Sequence, residues 1–290
     1  MTVPHQVPSN SPTIAIVGVG LIGGSIAAAV QKRKLGRVFA VGRDAGKLQQ
    51  ALSLGLADHT TTEIGVAARE ADLLIFCTPV DRITAGVREA ASSCRPGTLI
   101  TDAGSTKGSI CRSLSEDLPE GIEFLGSHPL AGSEKQGCEH ADANLFVGRV
   151  CVLTPVESST LRARERLAAF WTSLGARVWE MPPEAHDLAL AETSHLPHLI
   201  AATVASTLAP ENRELAATGF RDTTRIASGD PDLWTAIFLA NADALLESLK
   251  KQEAVSHAFR EAIEQRDPKR LRELLAHARD SREALVSRQS

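Results

Sequence analysis

A histidine held between glycines and a proline is the first place in this sequence to look for chemistry. Gly126-Ser127-His128-Pro129-Leu130-Ala131-Gly132-Ser133-Glu134 presents His128 on what reads as a loop. An unperturbed imidazole titrates at about 6.5, so at physiological pH it can stand neutral and accept the proton of a hydroxyl. Asp102-Ala103-Gly104-Ser105-Thr106-Lys107-Gly108, one segment upstream, offers Ser105 to orient either that imidazole or the hydroxyl it works on. A loop histidine satisfied by backbone groups alone is the plainer alternative. Further on, Ser194-His195-Leu196-Pro197-His198 puts two histidines on one helix face, since residues three apart are neighbours there. A metal pair would need additional cysteine or acidic ligands at matching spacing; none is present, so no metal is expected and a polar contact to a bound anion is the better reading. Gly219 to Ala227 carries Arg221 and Arg225 in a short connector. A guanidinium fork suits a carboxylate because it makes two parallel charge-assisted hydrogen bonds, and one of the two arginines should be a surface residue. Trp234, early in the next helix, serves equally as a pocket wall or as packing.

Gly18-Val19-Gly20-Leu21-Ile22-Gly23 is a G-x-G-x-x-G string placed directly after an apolar strand signal and at the opening of a helix. In that context it reads as a dinucleotide loop: Gly18 for the tight turn, Gly20 for close approach of a pyrophosphate, Gly23 for helix–strand packing. The phosphates would lie on the helix N-terminus that Leu21 and Ile22 open. The slot ending the second strand, where an acidic residue commonly takes the ribose 2′-hydroxyl, falls at Gly42, followed by Arg43 and Asp44. Glycine removes the carboxylate that would repel a 2′-phosphate and Arg43 can bind one, so NADP is the preferred cofactor. NAD is the alternative, with Asp44 reaching the ribose. Thr78-Pro79, ending another strand, should line the nicotinamide side.

Elements that could position these groups are legible as alternating signals. Short apolar runs at 13–17, 37–41, 71–77, 98–102, 122–126, 149–153 and 177–181 read as buried strands, with helices at 23–34, 46–54 and 161–174 among them. Such alternation implies right-handed crossovers and a doubly wound parallel sheet. At Pro182-Pro183 the texture changes, and helical spacing takes over at 184–208, 211–218, 233–265 and 268–286. Asp230-Pro231 and Asp267-Pro268 each place an N-cap aspartate before a first-turn proline. The expected fold class is α/β: a Rossmann-type domain over 12–181 followed by an all-helical domain over 182–290.

Composition excludes several classes. The 31 basic against 35 acidic residues give a net charge of -4, which leaves no cationic surplus to replace the counterions of a nucleic acid. Eight phenylalanines, three tryptophans and no tyrosine make poor stacking platforms. No apolar run reaches the roughly 18 residues of a membrane span, and the polar, proline-rich start resembles neither a signal nor a transit peptide. Five cysteines (Cys77, Cys94, Cys111, Cys138, Cys151) form no CxxC pair, which points to reduced thiols and a cytoplasmic protein.

In order along the chain, the strings at 18–24, 102–108, 126–134, 195–198 and 219–234 resemble the prephenate/arogenate dehydrogenase family of tyrosine biosynthesis. The DxGSxKG, HPxxGxE, HLPH and TRIA strings are far more specific than the glycine loop, and the C-terminal helices match in texture alone. The resemblance implies oxidative decarboxylation: hydride leaves the hydroxyl-bearing ring carbon for the nicotinamide, the ring carboxylate departs as carbon dioxide, and a phenol results. It implies that His128 accepts the ring hydroxyl's hydrogen bond with Ser105 beside it, and that Arg225 anchors a substrate carboxylate. His198, beside His195, would contact the substrate side chain, with Glu134 and Trp234 at the pocket mouth. It further implies a homodimer through the helical domain. Gly42-Arg43 departs from family members that end the second strand in an acidic residue, and no fused chorismate mutase or ACT regulatory domain is expected. Prephenate is the expected substrate and arogenate the alternative. Two other classes stay open: a cofactor-sensing module, which predicts damage to His128 or Arg225, and a Rossmann-plus-helical reductase, which needs a catalytic lysine where Lys250 and Lys251 are poor candidates.

Overall fold

Thr13 to Val17 is buried at every position, the pattern of a strand covered on both faces. The computed structural model describes residues 11–115, 118–132 and 135–286, which form two compact units divided between 242 and 243. The expected division at 181/182 falls inside the first.

The first unit opens with β1 (Thr13–Val17), α1 (Leu21–Arg33), β2 (Arg37–Val41), α2 (Ala45–Ser53), β3 (His59–Thr61), α3 (Ile64–Glu70), β4 (Leu73–Phe76), α4 (Val80–Ala91), β5 (Leu99–Asp102), α5 (Gly108–Leu114) and β6 (Glu123–Phe124). The six strands make one parallel sheet in the order β3-β2-β1-β4-β5-β6. Alternate residues of each strand feed opposite faces. Ile14, Ile16, Val38 and Ile75 pack with Ile26 and Val30 of α1 on one side. Ala15, Val17, Phe39 and Phe76 pack with Ala67 of α3 and with Ile83 and Val87 of α4 on the other.

Beyond β6 the chain makes a second sheet: β7 (Gly126–Pro129), β8 (Val150–Thr154), α6 (Leu161–Ser173) and β9 (Arg177–Glu180), with strand order β7-β8-β9. β7 runs antiparallel to β8, and β8 parallel to β9. The expected loop around His128 is therefore a strand, with His128 opposite Val152. Its sequence, Gly-Ser-His-Pro, has little strand propensity of its own. It is held by neighbours: Ser127 N–H donates to Asp102 Oδ1 (3.3 Å), and Trp171 Nε1–H donates to Ser127 Oγ (3.1 Å).

Helices follow: α7 (Pro183–Leu190), a π-helical turn (Ala191–His195), α8 (Leu196–Ser206), a 3-10 turn (Pro210–Leu215), α9 (Thr218–Thr224), a 3-10 turn (Arg225–Ser228) and α10 (Pro231–Ala240). The stretch expected at 184–208 is helical but widens just ahead of Pro197, whose ring and missing N–H disturb the preceding turn. The helix expected at 211–218 is instead a 3-10 turn and α9, because Ala216 and Ala217 are extended. The connector expected around Arg221 and Arg225 is itself helical. The run expected at 233–265 breaks at Asn241 (φ −121°, ψ 33°). Both proline-led starts are capped as expected: Asp230 accepts from the amides of Asp232 and Leu233, and Asp267 from those of Lys269 and Arg270. The second unit holds α11 (Ala242–Glu264), but for its first residue, and α12 (Pro268–Val286). No helix among the described residues is long and apolar enough to cross a membrane.

Candidate active site

Because β1 lies between β2 and β4, the chain leaves β1 to one side and returns on the other, opening a crevice beyond the carboxyl ends of β1 and β4. Gly18 turns there at φ +94°, where a side chain would be strained and would meet the Cys77 carbonyl at 2.7 Å. A Cβ at Gly23 would collide with the Gly18 carbonyl, so the loop closes on its own helix only with glycine. A Cβ at Gly20 would meet nothing within 4 Å, and no side chain caps α1. The first-turn amides at Leu21 and Ile22 are thus left without a side-chain cap at the positive end of the helix dipole, suited to a pyrophosphate. Thr78, before Pro79 at the start of α4, stands against Gly18 with a buried hydroxyl that has no partner among the described residues. Gly42 follows β2 directly, Arg43 is exposed beyond it, and Asp44 caps α2, its Oδ1 accepting from the amides of Gly46 (2.8 Å) and Lys47 (3.1 Å). Glycine geometry, free amides and an orphan hydroxyl fit a dinucleotide.

A cleft of about 730 Å³ lies at the end of the first unit formed by β7, the π-helical turn and α10. Ser105, His128, His195, His198, Arg225 and Trp234, six of the residues singled out from sequence, all line it. Glu134, the seventh, lies outside the described residues. Its size is in the range, roughly 300–1,000 Å³, that small-molecule sites occupy.

His128 is buried, and burial, joined by His186, Lys107 and His195, holds its imidazole well below the usual 6.5; it stands neutral. Its Nδ1 is 2.9 Å from His186 Nε2, and His186 Nδ1 is 2.8 Å from Asp187 Oδ1. Asp187 also accepts from the amides of Lys107 and Gly108, both at 2.8 Å. Burial alone would raise its carboxyl, but the bonds from His186, Gly108 and Lys107 outweigh that and hold it below the ordinary carboxylate value. Lys107 is fully buried and ion-paired with Asp102 at the end of β5. Ser105 lines the cleft, but it is His186 that bonds the His128 ring.

The two histidines of the HLPH string face different partners. His195 Nδ1 is 3.1 Å from Asn241 Nδ2, which also donates to the Asp187 carbonyl (2.7 Å). Burial, helped by His186 and opposed by Asp187, pushes His195 down to about 4. His198 stacks on Trp234 with ring centroids 3.5 Å apart and planes 13° from parallel, and burial lowers its pKa. His195 Nε2 and His198 Nδ1 are buried without a partner among the described residues. Among the described residues no group of three or more histidines, cysteines and acids is arranged to hold a metal. Arg225 is exposed on the cleft wall with no ion pair to a described residue, whereas Arg221 donates from Nε to the Ala216 carbonyl. His186, Asp187, Asn241 and Lys107 were not singled out as functional from sequence. The adjacent His186-Asp187 pair opening a helix was the one signal present, and nothing in its spacing ties it to His128.

Two family models cover most of the chain: one described as prephenate dehydrogenase, nucleotide-binding domain, over 26–180, and one described as prephenate dehydrogenase, dimerization domain, over 182–277. The chain belongs to the prephenate dehydrogenase family. Family membership makes it a dehydrogenase with a nucleotide-binding domain. The first match begins after the glycine loop, whose reading stands on its own strand–turn–helix geometry. Prephenate dehydrogenase of Bacillus subtilis is 35% identical over 285 residues, covering 96% of this chain and 77% of the relative. Cyclohexadienyl dehydrogenase of Zymomonas mobilis is 36% identical over 283 residues, covering 94% and 95%. Among solved structures, prephenate dehydrogenase from A. aeolicus, in complex with hydroxyphenyl propionate and NAD+, superposes with a TM-score of 0.88 at 28% identity, covering 96% of this chain and 99% of that one. Arogenate dehydrogenase of Synechocystis gives 0.79 at 29% identity, covering 94% and 99%.

Proposed function

We propose that this chain oxidatively decarboxylates prephenate to 4-hydroxyphenylpyruvate in tyrosine biosynthesis, taking NADP in preference to NAD. The observation that carries the reading is a neutral, buried His128 in the same cleft as Arg225, in a chain of this family. His128 accepts the proton of the ring hydroxyl as that carbon becomes a carbonyl; Ser105 bonds the same oxygen. Arg225 pairs with a substrate carboxylate through its fork. His195 and His198 contact the substrate from the cleft wall, and Trp234 walls the pocket. When the ring carboxylate leaves as carbon dioxide, its electrons make a phenolate, which takes back the proton from His128. The oxidised nicotinamide, when bound, supplies the hydride acceptor, held by the 18–23 loop and by Thr78 and Pro79.

Prephenate is favoured over arogenate by the state of Asp230. It is the one carboxylate among the described residues lining the cleft, and both its oxygens are engaged: Oδ1 by the Asp232 and Leu233 amides, Oδ2 by Gln136 (3.0 Å). Among the described residues an arogenate ammonium would find no free acid there, which leaves Glu134 at the pocket mouth as the acid it would have to use. NADP is favoured because Gly42 leaves the 2′ position without a carboxylate, Asp44 is committed to capping α2, and Arg43 is exposed beside it. On this reading residues 12–181 bind the dinucleotide, 182–290 complete the substrate site and dimerise, Glu134 joins the pocket mouth, and the enzyme works in the cytoplasm. In the test, His128→Asn is expected to cut turnover of prephenate by at least about 100-fold while dinucleotide affinity holds. Unchanged turnover would remove His128 from the mechanism.

A further inference from the structure

A neutral imidazole carries its hydrogen on either of two nitrogens, and only the ring with a bare nitrogen toward the cleft can take a proton from it. We propose that His186 and Asp187 are positioning residues that fix His128 with its hydrogen on Nδ1 and share the charge it acquires, a buried His128–His186–Asp187 relay giving the base its direction. The proposal rests on the reading of His128 as the base.

The assignment follows from backbone groups that can do one thing only, taken with a His186 that carries a single ring hydrogen. The amides of Lys107 and Gly108 donate, one to each oxygen of Asp187. A carboxylate serving two such donors is an acceptor, so His186 Nδ1, 2.8 Å from Oδ1, donates to it. A neutral His186 with hydrogen on Nδ1 has a bare Nε2. That nitrogen stands 2.9 Å from His128 Nδ1, which must then be the donor. The lone pair of His128 is left on Nε2, across the ring from His186. When the O–H bond of the substrate breaks and an N–H bond forms at Nε2, His128 becomes an imidazolium whose Nδ1–H bond to His186 strengthens. Lys107 and His195 both disfavour that cation. Asp187, at the far end of the relay, is the countercharge that offsets them. The relay is built rather than incidental: His186 is fully buried, and Asn241 holds the Asp187 carbonyl from the end of α10.

A purely structural role for Asp187, tying down the start of α5, would make the same contacts, so the test must separate the two. Ring-nitrogen chemical shifts of histidine-labelled protein, with the His128 signals assigned through His128→Asn, read the tautomer in the unmodified enzyme without any turnover. Hydrogen on Nδ1 of His128 is expected; hydrogen on Nε2 overturns the proposal. Asp187→Asn is then expected to lower kcat by at least about 100-fold while KM and dinucleotide affinity stay within about threefold. A variant that melts earlier yet keeps its kcat is what a structural tie gives, and it overturns the relay. Where the variant does not fold, the tautomer of the unmodified protein still decides. Should the chain leave prephenate untouched while His128 carries its hydrogen on Nδ1, the substrate reading fails and the relay stands.

Discussion

Burial sets what His128 can do before any substrate arrives. Taking the ring out of water penalises its charged form, and the nearby Lys107 ammonium adds to that penalty. The base is therefore already deprotonated at pH values where a free histidine would still be half protonated. With the folded pKa lowered, the acid-side fall of kcat/KM is expected to lie below pH 6.5, the ordinary histidine value. A fall centred at or above that value would contradict the environment described. Arg43→Ala is expected to weaken NADP by about tenfold, the worth of one exposed charge-assisted contact, and to spare NAD; equal losses in isothermal titrations with the two dinucleotides would reject the cofactor preference. His128, Arg225 and Trp234 could be singled out by the strings around them, although His128 and Trp234 each had a plainer use, and the fold sets all three on one cleft. His186 and Asp187 could not be. Their partners lie 58 and 80 positions away in sequence, and only the closed fold brings them together.

At the scale of elements, the turn from β1 into α1 tolerates no substitution at Gly23. A Cβ there would collide with the Gly18 carbonyl, so Gly23→Ala must open the loop. The expected result is a loss of about 1–3 kcal/mol in stability and dinucleotide binding weakened by about tenfold or more. A variant that melts and binds like the parent would show that the loop has slack. The parallel strands were readable because a strand covered on both faces is a short continuous apolar run, as at Thr13–Val17 and Leu73–Phe76. β7 was unreadable for the opposite reason: Gly126–Pro129 has no apolar pattern and is a strand because Asp102, Trp171 and β8 hold it. Asn241 shows the same limit. Helical spacing runs straight through it, yet its amide is spent on His195 and the Asp187 carbonyl, and the helix breaks there.

For the molecule as a whole, several buried neutral histidines tie stability to pH. His128, His195 and His198 all titrate below 6.5 in the folded chain, His195 at about 4. Unfolded, each regains its ordinary value. Between 6.5 and about 4 the unfolded chain thus binds more protons than the folded one, so the stability these rings contribute is present above 6.5 and lost as pH falls. The melting temperature is expected to drop across that interval; a flat or rising profile would contradict the burial of these rings. The two-part plan of parallel sheet then helices was readable from the change of texture at Pro182-Pro183. The split of the first part into two sheets was not, since strand order is set by pairing between distant segments. The decisive measurement is the initial rate of nicotinamide reduction with prephenate or arogenate, each with NAD or NADP. Prephenate with NADP is expected to be fastest, with carbon dioxide released in step. No rate in any combination, from folded protein that still binds a dinucleotide, would contradict the assignment of this cleft to oxidative decarboxylation.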